Sequence, residues 1–335
     1  MRSRLLISIL TLVFTLLSCS SPGAVPVDVL PSPFPTLTTI SVSTATATPM
    51  LSPTETITAT PAPLARRVLI LSIDGLRPDA IALAPMPNLL ALMQNSAHTL
   101  NAQTVFPSVT LVSHASMLGG VCPSKHGVDW NDYLPEKGFA KGTDLFDIAH
   151  AAGLPTVMYV GKEKLQQVTE PASVDSFVFI NDRDLVITEQ LLVDFPADFS
   201  LLFVHFPTPD WMGHQYGWMS AEQLSVIQRA DEALGEILSG LDARGLRDET
   251  LIIISADHGG HDNGHGTDLP VDMTIPWIAS GPGIQPKQLS TQVYTMDTAA
   301  TAAFALGLPI PPEWDGVPVY EAFGLPVEKQ SAACQ

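Results

Sequence analysis

Three short apolar segments of this chain each lead into an aspartate. Asp74 follows "LILSI", Asp210 follows "LLFVHFPTP" and Asp257 follows "LIIISA". Apolar runs without polar alternation are typical of strands that are buried on both faces of a parallel sheet. Ligands of open parallel sheets bind beyond the carboxyl ends of the strands. The sequence therefore predicts three carboxylates at one edge of a parallel sheet.

The rest of the chain from residue 66 onward alternates apolar and helical patterns. The predicted strands are 66–75, 155–161, 198–206, 250–257 and 274–280. The predicted helices are 86–97, 143–153 with Thr143 at its start, 220–241 with a capping box of Ser220 and Gln223, and 297–307. This order predicts an α/β fold with a mostly parallel central sheet and helices on both faces.

Histidines accompany two of the three aspartates. His214 follows Asp210, and the glycine-rich stretch "ADHGGHDNGHG" (256–266) places His258, His261 and His265 after the strand that precedes Asp257. Clustered carboxylates repel one another unless they share a cation. Aspartate and histidine ligands without cysteine suit zinc, and also manganese or iron. The candidate ligands exceed what one zinc ion needs, which favours two metal ions, and the ligand chemistry accepts either His261 or His265.

A candidate nucleophile lies in "FPSVTLVSHASMLGG" (106–120), where a helix is predicted to begin after Val109. A hydroxyl at a helix N-terminus lies beside free backbone N–H groups and the positive end of the helix dipole, which favours a phosphoryl group. The chemistry alone leaves Ser108 and Thr110 as alternatives, and a metal ion that lowers the hydroxyl pKa could activate either.

Five motifs in order resemble a known family. They are "DGLRPD" (74–79), "TLVSH" (110–114), "HGVDWN" (126–131), "PDWMGH" (209–214) and "DHGG" (257–260). Over residues 66–322 the chain resembles the type I phosphodiesterase/nucleotide pyrophosphatase family of the alkaline phosphatase superfamily. The resemblance implies an alkaline-phosphatase-like three-layer sandwich. It also implies hydrolysis of phosphodiester or nucleotide pyrophosphate bonds in a small phosphate-ester substrate, with two Zn²⁺ ions as cofactors.

The resemblance also implies roles for individual residues. One metal site would consist of Asp210, His214 and His265, and the other of Asp74, Thr110, Asp257 and His258. Thr110 would be the nucleophile, and Asn131 would bind a non-bridging phosphoryl oxygen. Ser113 replaces an asparagine of the family motif and is expected to affect what the substrate pocket accepts. Motif position favours His265 over His261 as the last ligand.

Several alternatives remain open. A phosphomonoesterase of the same superfamily would need a further cation for the third phosphate oxygen, and Arg77 is the nearest basic candidate. A catalytically inactive, lipid-tethered binding protein is a second alternative. A sulfatase is disfavoured because "CPSK" (122–125) does not fit the C/S-x-P-x-R motif of that group. His114 and His126 are expected to be structural and to hold loops by hydrogen bonds, and His205 is expected to act in packing. Trp211, Tyr216 and Trp218 are either core or rim aromatics or a pocket wall for a leaving group.

The N-terminus resembles a bacterial lipoprotein signal. Arg2 and Arg4 precede an apolar run from Leu5 to Leu17 that ends in "LLSC", which implies cleavage before Cys19 and a lipid on its sulfur. We expect residues 1–19 to be a signal peptide, 20–65 a linker rich in proline, threonine and serine, 66–325 the catalytic domain and 326–335 a tail. The protein is then expected to be extracytoplasmic and bound to a membrane through this lipid.

Charge and cysteine content limit the partners. The net charge of −18 argues against binding of a nucleic-acid polymer, which needs a basic surface. An anionic substrate would then need local positive charge, which bound metal can supply. No protein partner is predicted. With Cys19 lipidated, only Cys122 and Cys334 remain, and a disulfide between them is an open possibility.

Overall fold

One eight-stranded sheet forms the centre of the protein. The computed structural model describes residues 62–334, and the predicted lipid site at Cys19 lies outside them. The strand order is β4-β3-β5-β1-β6-β7-β2-β8. The strands are β1 (Arg67–Ile73), β2 (Ala97–Gln103), β3 (Thr156–Val160), β4 (Ser176–Phe179), β5 (Leu201–Phe206), β6 (Thr250–Ser255), β7 (Thr274–Ser280) and β8 (Lys287–Gln288).

The sheet is mostly parallel, as the sequence predicts. β1 pairs in parallel with β5 and β6, and β3 pairs in parallel with β5 and β4. Only the pairings of β7, with β6 and with β2, are antiparallel among the described strands. Every residue of β3, β5 and β6 is buried, because helices cover both faces of the central strands.

Ten α-helices connect and cover the strands in the described part of the chain. They are α1 (Ala80–Leu83), α2 (Pro87–Met93), α3 (Thr110–Gly119), α4 (Pro123–His126), α5 (Leu145–Ala151), α6 (Asp184–Val193), α7 (Thr208–Tyr216), α8 (Ala221–Ala243), α9 (Pro270–Met273) and α10 (Asp297–Ala305). Short 3₁₀ helices lie at Pro135–Lys137, Glu163–Val168, Pro171–Ser173, Arg247–Glu249 and Tyr320–Phe323. None of the helices between residues 62 and 334 has the length and apolar character needed to cross a membrane.

Local hydrogen bonding explains where the predicted helix ends differ from the structure. The predicted helix 86–97 ends at Met93, and Ala97 already belongs to β2. Asp144, rather than Thr143, caps α5, because its carboxylate accepts hydrogen bonds from two N–H groups of the first turn. Ser220 caps α8 as predicted, but the Gln223 side chain accepts from the Met219 N–H instead of closing the capping box.

The C-terminal tail is covalently tied to the domain. Cys122 and Cys334 form a disulfide, with their Cα atoms 5.5 Å apart. Ser331 in the same tail donates a hydrogen bond to Asp297, the first residue of α10. The residues that we separated from the catalytic domain as a tail therefore pack against it.

Candidate metal centre and active site

Charged side chains follow the carboxyl ends of four neighbouring strands and lie at one edge of the sheet. β3, β5, β1 and β6 are adjacent in that order. Asp74 follows β1 directly, Asp257 lies two residues after β6, and Asp210 lies in the first turn of α7 after β5. Lys162, two residues after β3, completes the group. Parallel order brings the carboxyl ends together, so the three predicted carboxylates do meet, with an ammonium group among them.

Backbone carbonyl groups orient three of the predicted histidine ligands. Each imidazole places Nδ1 against an oxygen that can only accept a hydrogen bond: His214 at 2.9 Å from Asn263, His258 at 2.8 Å from Gly259 and His265 at 2.8 Å from Ser108. Nδ1 therefore carries the proton in each neutral ring, and the Nε2 lone pair is left free. Metal-binding histidines in proteins commonly show this arrangement.

The free lone pairs of His214 and His265 face each other beside Asp210. Their Nε2 atoms are 3.2 Å apart. Asp210 Oδ1 lies 3.4 Å from the first and 3.5 Å from the second. Three acceptor atoms this close, with no proton to share, repel one another, and a cation between them would remove the repulsion. This group matches the first metal site implied by the resemblance and could hold one metal ion.

A second group of possible ligands surrounds His258. Its Nε2 lies 3.4 Å from Asp74 Oδ1 and 3.2 Å from Asp257 Oδ2. Asp74, Asp210 and His258 together could hold a metal ion. Asp74 Oδ1, Asp257 Oδ2, His258 Nε2 and also Asp210 Oδ1 are buried without a hydrogen-bond partner. Because buried polar atoms are seldom left unpaired, these four atoms fit a pair of bound cations.

Lys162 binds the opposite edges of two of these carboxylates. Its Nζ atom is 2.7 Å from Asp74 Oδ2, 2.5 Å from Asp210 Oδ2 and 3.2 Å from Thr110 Oγ1. Burial alone would lower the pKa of Lys162, but the nearby carboxylates outweigh it and raise the pKa above lysine's usual value. These carboxylates therefore favour the charged form of Lys162, which contacts Oδ2 of Asp74 and of Asp210 and leaves their Oδ1 atoms free for a metal ion.

The carboxylates respond to this environment in opposite directions. Burial opposes ionisation of Asp74, yet Lys162 and His205 hold the pKa of that carboxyl well below its usual range. Burial and the negative charge of Asp74 raise the pKa of Asp257 well above its usual value. The pKa of His265 falls to about 4, mainly because the ring is buried. A neutral His265 is the form that can bind a metal ion.

Thr110 is the first residue of α3, and its side chain is buried. The next N–H group, that of Leu111, donates to Asn131 Oδ1 at 3.0 Å. Lys164 Nζ also donates to Asn131 Oδ1, at 3.0 Å. The carbonyl end of the Asn131 amide is thus bound to the protein, and its NH₂ end is the one that can donate to a phosphoryl oxygen. Burial and the charge of Lys162 lower the pKa of Lys164 to about 8.

Two buried histidines support the site from within the sheet. His205 Nδ1 accepts the Gly161 N–H at 3.3 Å, so its proton is on Nε2, which donates to Asp74 Oδ2 at 2.8 Å. His114 places Nδ1 2.7 Å from the Thr110 carbonyl oxygen and Nε2 2.8 Å from the Ser72 hydroxyl. His114 is structural as expected. His205, expected to act in packing, also orients a candidate metal ligand.

Three side chains singled out in the sequence lie away from the reacting groups. Ser113 is fully buried, and its Oγ accepts from the Thr104 hydroxyl at 3.1 Å, so it faces the interior of the protein. His261 bonds to Asp272 through Nδ1 at 2.8 Å instead of turning toward the site. Arg77 forms a salt bridge with Asp79, and it donates to the Gly260 carbonyl at 3.1 Å. Neither Ser113 nor Arg77 lines the cavity in front of Asn131.

This cavity lies between the ends of β3 and β5 and has a volume of about 420 Å³. It is lined by Asn131, Asp132, Tyr133, Gly161, Lys162, Glu163, Lys164, Phe179, Asn181, Asp210, Trp211 and His214. Trp211 therefore lines a pocket, which agrees with its interpretation as a wall for a leaving group rather than as a core residue. Tyr216 is exposed and Trp218 is buried, and neither lines this cavity.

Comparison with known families agrees with this arrangement. The family model described as "Type I phosphodiesterase / nucleotide pyrophosphatase" matches residues 68–274. The chain belongs to this family. The matched region contains the ends of β1, β3, β5 and β6 and every residue that we predicted to bind metal or substrate.

Curated relatives bear names of the same chemistry. An uncharacterised pyrophosphatase/phosphodiesterase of Schizosaccharomyces pombe is 28% identical over 57% of this chain and 44% of its own length. Venom phosphodiesterase 2 of Crotalus adamanteus is 29% identical over 60% of this chain and 28% of its own length. These relatives are named as hydrolases of phosphoric esters, and the chain spans less than half of their length.

Solved structures show the same fold. Murine ectonucleotide pyrophosphatase/phosphodiesterase 5, solved as an inactive variant in complex with AMP, has a TM-score of 0.65 at 16% identity and covers 77% of this chain and 98% of its own. A 2-O GAG sulfatase has a TM-score of 0.65 at 15% identity, over 79% of this chain and 76% of its own. The fold is thus the alkaline-phosphatase-like α/β fold that the resemblance implied.

Proposed function

We propose that this protein is a metal-dependent hydrolase of phosphate esters. Its preferred bonds are phosphodiester or nucleotide pyrophosphate bonds, its nucleophile is Thr110, and it uses two zinc ions. The observation that carries the proposal is the set of free lone pairs: His214 and His265 face each other 3.2 Å apart at Asp210, and four buried ligand atoms have no partner. Manganese and iron are the alternatives that the same ligands accept.

One metal ion would be held by Asp210, His214 and His265, which lie close enough together to share a cation. By the family resemblance, the other would be held by Asp74, Thr110, Asp257 and His258. The ions would supply Lewis-acid stabilisation of the oxygens that gain charge. Thr110 supplies the hydroxyl. Its Oγ forms a bond to phosphorus, the ester bond to the leaving group breaks, and the hydroxyl proton passes to solvent. Water then displaces Thr110 from phosphorus and restores the hydroxyl.

Neighbouring side chains stabilise the charge that develops during this step. Lys162 donates a hydrogen bond to Thr110 Oγ1, and its positive charge favours the alkoxide form of Thr110. The NH₂ group of Asn131 is oriented by its two bonds at Oδ1 and donates to a non-bridging oxygen. The N-terminus of α3 favours the phosphoryl group electrostatically.

A phosphomonoesterase is the second candidate, and Lys164 favours it. A monoester carries one more negative oxygen than a diester, and a protein that prefers monoesters needs a cation for that oxygen. Arg77, the residue expected for this task, is paired with Asp79. Lys162 is likewise paired, with Asp74 and Asp210. Lys164 instead lines the cavity beside Asn131, and its Nζ atom contacts Asn131. Lys164 is therefore the candidate cation for a monoester, at a different place from Arg77.

A paired assay tests both candidates. Zinc-loaded protein is incubated with bis-p-nitrophenyl phosphate and with p-nitrophenyl phosphate, each with and without a chelator. We expect chelator-sensitive cleavage that favours the diester. Cleavage that favours the monoester would select the second candidate. A protein that binds two zinc ions and cleaves neither ester would support a lipid-tethered binding protein.

Thr110 variants make the assay specific for the proposed nucleophile. Thr110→Ala is expected to lose turnover by a factor of about 10³ or more while it keeps both metal ions, because no hydroxyl is left to attack phosphorus. Thr110→Ser keeps the hydroxyl and retains measurable turnover. Thr143→Ala, at an exposed threonine away from the site, is the matched control. Wild-type turnover of Thr110→Ala would remove Thr110 from the mechanism.

Attachment to a membrane through a lipid on Cys19 is a separate proposal. It is supported by the "LLSC" sequence after the apolar run. The Cys19→Ser variant is expected to move from the membrane fraction to the soluble extracytoplasmic fraction. A variant that stays with the membrane would contradict the lipid anchor but would leave the catalytic proposal intact.

A further inference from the structure

Trp218 contacts all three segments that carry the candidate metal ligands. Its indole N–H donates to the Gly75 carbonyl at 3.0 Å, next to Asp74. Its backbone N–H donates to the Asp262 carbonyl at 2.7 Å, in the loop between His258 and His265. Its own position, just after α7, links it to the helix that carries Asp210 and His214. Trp218 is 8% exposed.

The indole also packs directly against two ligand rings. The ring of His214 lies edge-on, with its centroid 5.2 Å from that of Trp218 and an interplanar angle of 87°. The ring of His265 lies at 5.7 Å and 62°. Together with the carbonyl groups that accept from Nδ1, the indole restricts the rotation of both imidazoles. The ring of His265 also stacks on that of His258, with centroids 3.7 Å apart. Trp218 is the side chain that packs against both His214 and His265.

Glycines in three motifs leave the space that the indole occupies. A Cβ atom at Gly260 would lie 2.2 Å from Trp218 Cε2, one at Gly213 would lie 2.8 Å from Cδ2, and one at Gly75 would lie 3.3 Å from Cζ2. Each glycine is within two residues of a candidate ligand: Asp74, His214 or His258. At Gly260 the indole ring is the nearest obstacle to a Cβ atom. At Gly213 the Gln223 amide nitrogen is as close as the ring, and at Gly75 the Asp210 Cα atom is closer, at 3.2 Å. Of the three glycines, Gly260 is therefore the one whose lack of a side chain depends most directly on the indole.

We propose that Trp218 is a positioning residue for the metal site at Asp210, His214 and His265, and that Gly260 leaves the space that its indole needs. The inference rests on the proposed metal-dependent function. Trp218 sets the distance between the loop after β1, helix α7 and the loop after β6. A side chain that merely filled the core would affect folding stability but would leave the affinity of this metal site unchanged.

Adding one methyl group beside the indole tests the proposal without removing it. Gly260→Ala forces the indole to move, because the new Cβ cannot lie 2.2 Å from the ring. Gly264→Ala is the matched control: it lies in the same loop next to His265, and its Cβ would meet no atom within 4 Å. Zinc binding is measured by calorimetry for wild type, both variants, Trp218→Phe, Trp218→Ala and the double variant Trp218→Ala/Gly260→Ala.

We expect Gly260→Ala to weaken one of the two zinc sites by about 10- to 100-fold, the range typical for residues that orient metal ligands. Trp218→Ala should weaken the same site, Trp218→Phe should do so less, and Gly264→Ala should bind as wild type does. In the Trp218→Ala background, Gly260→Ala should add little further loss, since the ring it displaces is gone. The cobalt(II) visible spectrum of Gly260→Ala should also change, because the ligand geometry changes.

Other outcomes overturn the inference. One is wild-type zinc affinity at both sites in Gly260→Ala, and another is an equal cost of Gly260→Ala with and without the indole. If Trp218→Ala does not fold, the comparison of Gly260→Ala with Gly264→Ala and Trp218→Phe decides. A wild-type protein that binds no zinc would overturn this inference and the proposed function together. A wild-type protein that binds two zinc ions without hydrolysing any ester would refute the proposed function alone, because the affinities still test Trp218.

Discussion

The charge of Lys164 should control turnover of monoesters as the pH rises. Burial and the neighbouring charge of Lys162 both favour the neutral amine and lower the pKa of Lys164 to about 8. Lys164 is therefore mostly charged at about pH 7 and mostly neutral at about pH 9, whereas an exposed lysine with a pKa of about 10.4 would stay charged. The cation beside Asn131 is thus lost as pH rises through about 8.

The size of the effect follows from the hydrogen bond that the charge strengthens. A hydrogen bond to a charged group contributes about 1.5–3 kcal/mol, which corresponds to about 10- to 100-fold in rate. Lys164→Ala should thus lower kcat/KM for p-nitrophenyl phosphate by about 10- to 100-fold at neutral pH. In wild type, kcat/KM should fall above pH 8 toward the level of Lys164→Ala. Bis-p-nitrophenyl phosphate, which lacks the extra negative charge, should be affected less.

Lys164→Arg separates charge from other effects of pH. A guanidinium keeps its charge at every pH in the assay. The decline near pH 8 should therefore disappear in Lys164→Arg, with kcat/KM measured for both esters between about pH 6.5 and pH 10. An unchanged decline near pH 8 in Lys164→Arg would refute the assignment to Lys164. Equal losses for the monoester and the diester in Lys164→Ala would also refute it.

Three further predictions concern metal, the tail and the interior of the site. Zinc should raise the Tm of metal-free protein in a concentration-dependent way, because it binds carboxylates that repel one another in the folded protein. Thermal scans in which neither zinc nor chelator changes the Tm would contradict this. Cys334→Ser should lower the free energy of unfolding, measured in urea, by up to about 5 kcal/mol, because the disulfide closes a long loop. Reducing agent should not lower the stability of this variant any further. Ser113→Ala should lower the free energy of unfolding by about 1 kcal/mol, because the buried hydrogen bond to Thr104 is lost, but leave KM for both esters unchanged. An altered KM would show that Ser113 affects substrate binding after all.

The parts of the site that were predictable from the sequence are those with a local pattern. An aspartate after an apolar run marks a carboxylate at a strand end, which is why Asp74, Asp210 and Asp257 were found before the strand order was known. The start of α3 was predictable in the same way, because the residues around Val109 and Thr110 carry the pattern of a helix N-terminus. The parallel sheet followed from unbroken apolar strands for the same reason.

The parts that escaped prediction depend on which strands are neighbours. Lys162 follows β3 as the aspartates follow their strands, and the same pattern could have found it. Its role was invisible because only the strand order places β3 beside β5, and β5 beside β1. His205 faces Asp74 across the parallel pairing of β5 and β1, where Ser72 is its register partner. The disulfide of Cys122 and Cys334 joins residues 212 positions apart, which no local pattern could indicate.

In the proposed mechanism, Thr110 forms a covalent bond to phosphorus during turnover. The most direct measurement is an acid quench of wild-type protein that is turning over bis-p-nitrophenyl phosphate, followed by peptide mapping with mass spectrometry. We expect a p-nitrophenyl phosphoryl group on Thr110, and no such adduct in Thr110→Ala. An adduct on Ser108 or on another residue, with Thr110 unmodified, would contradict the account.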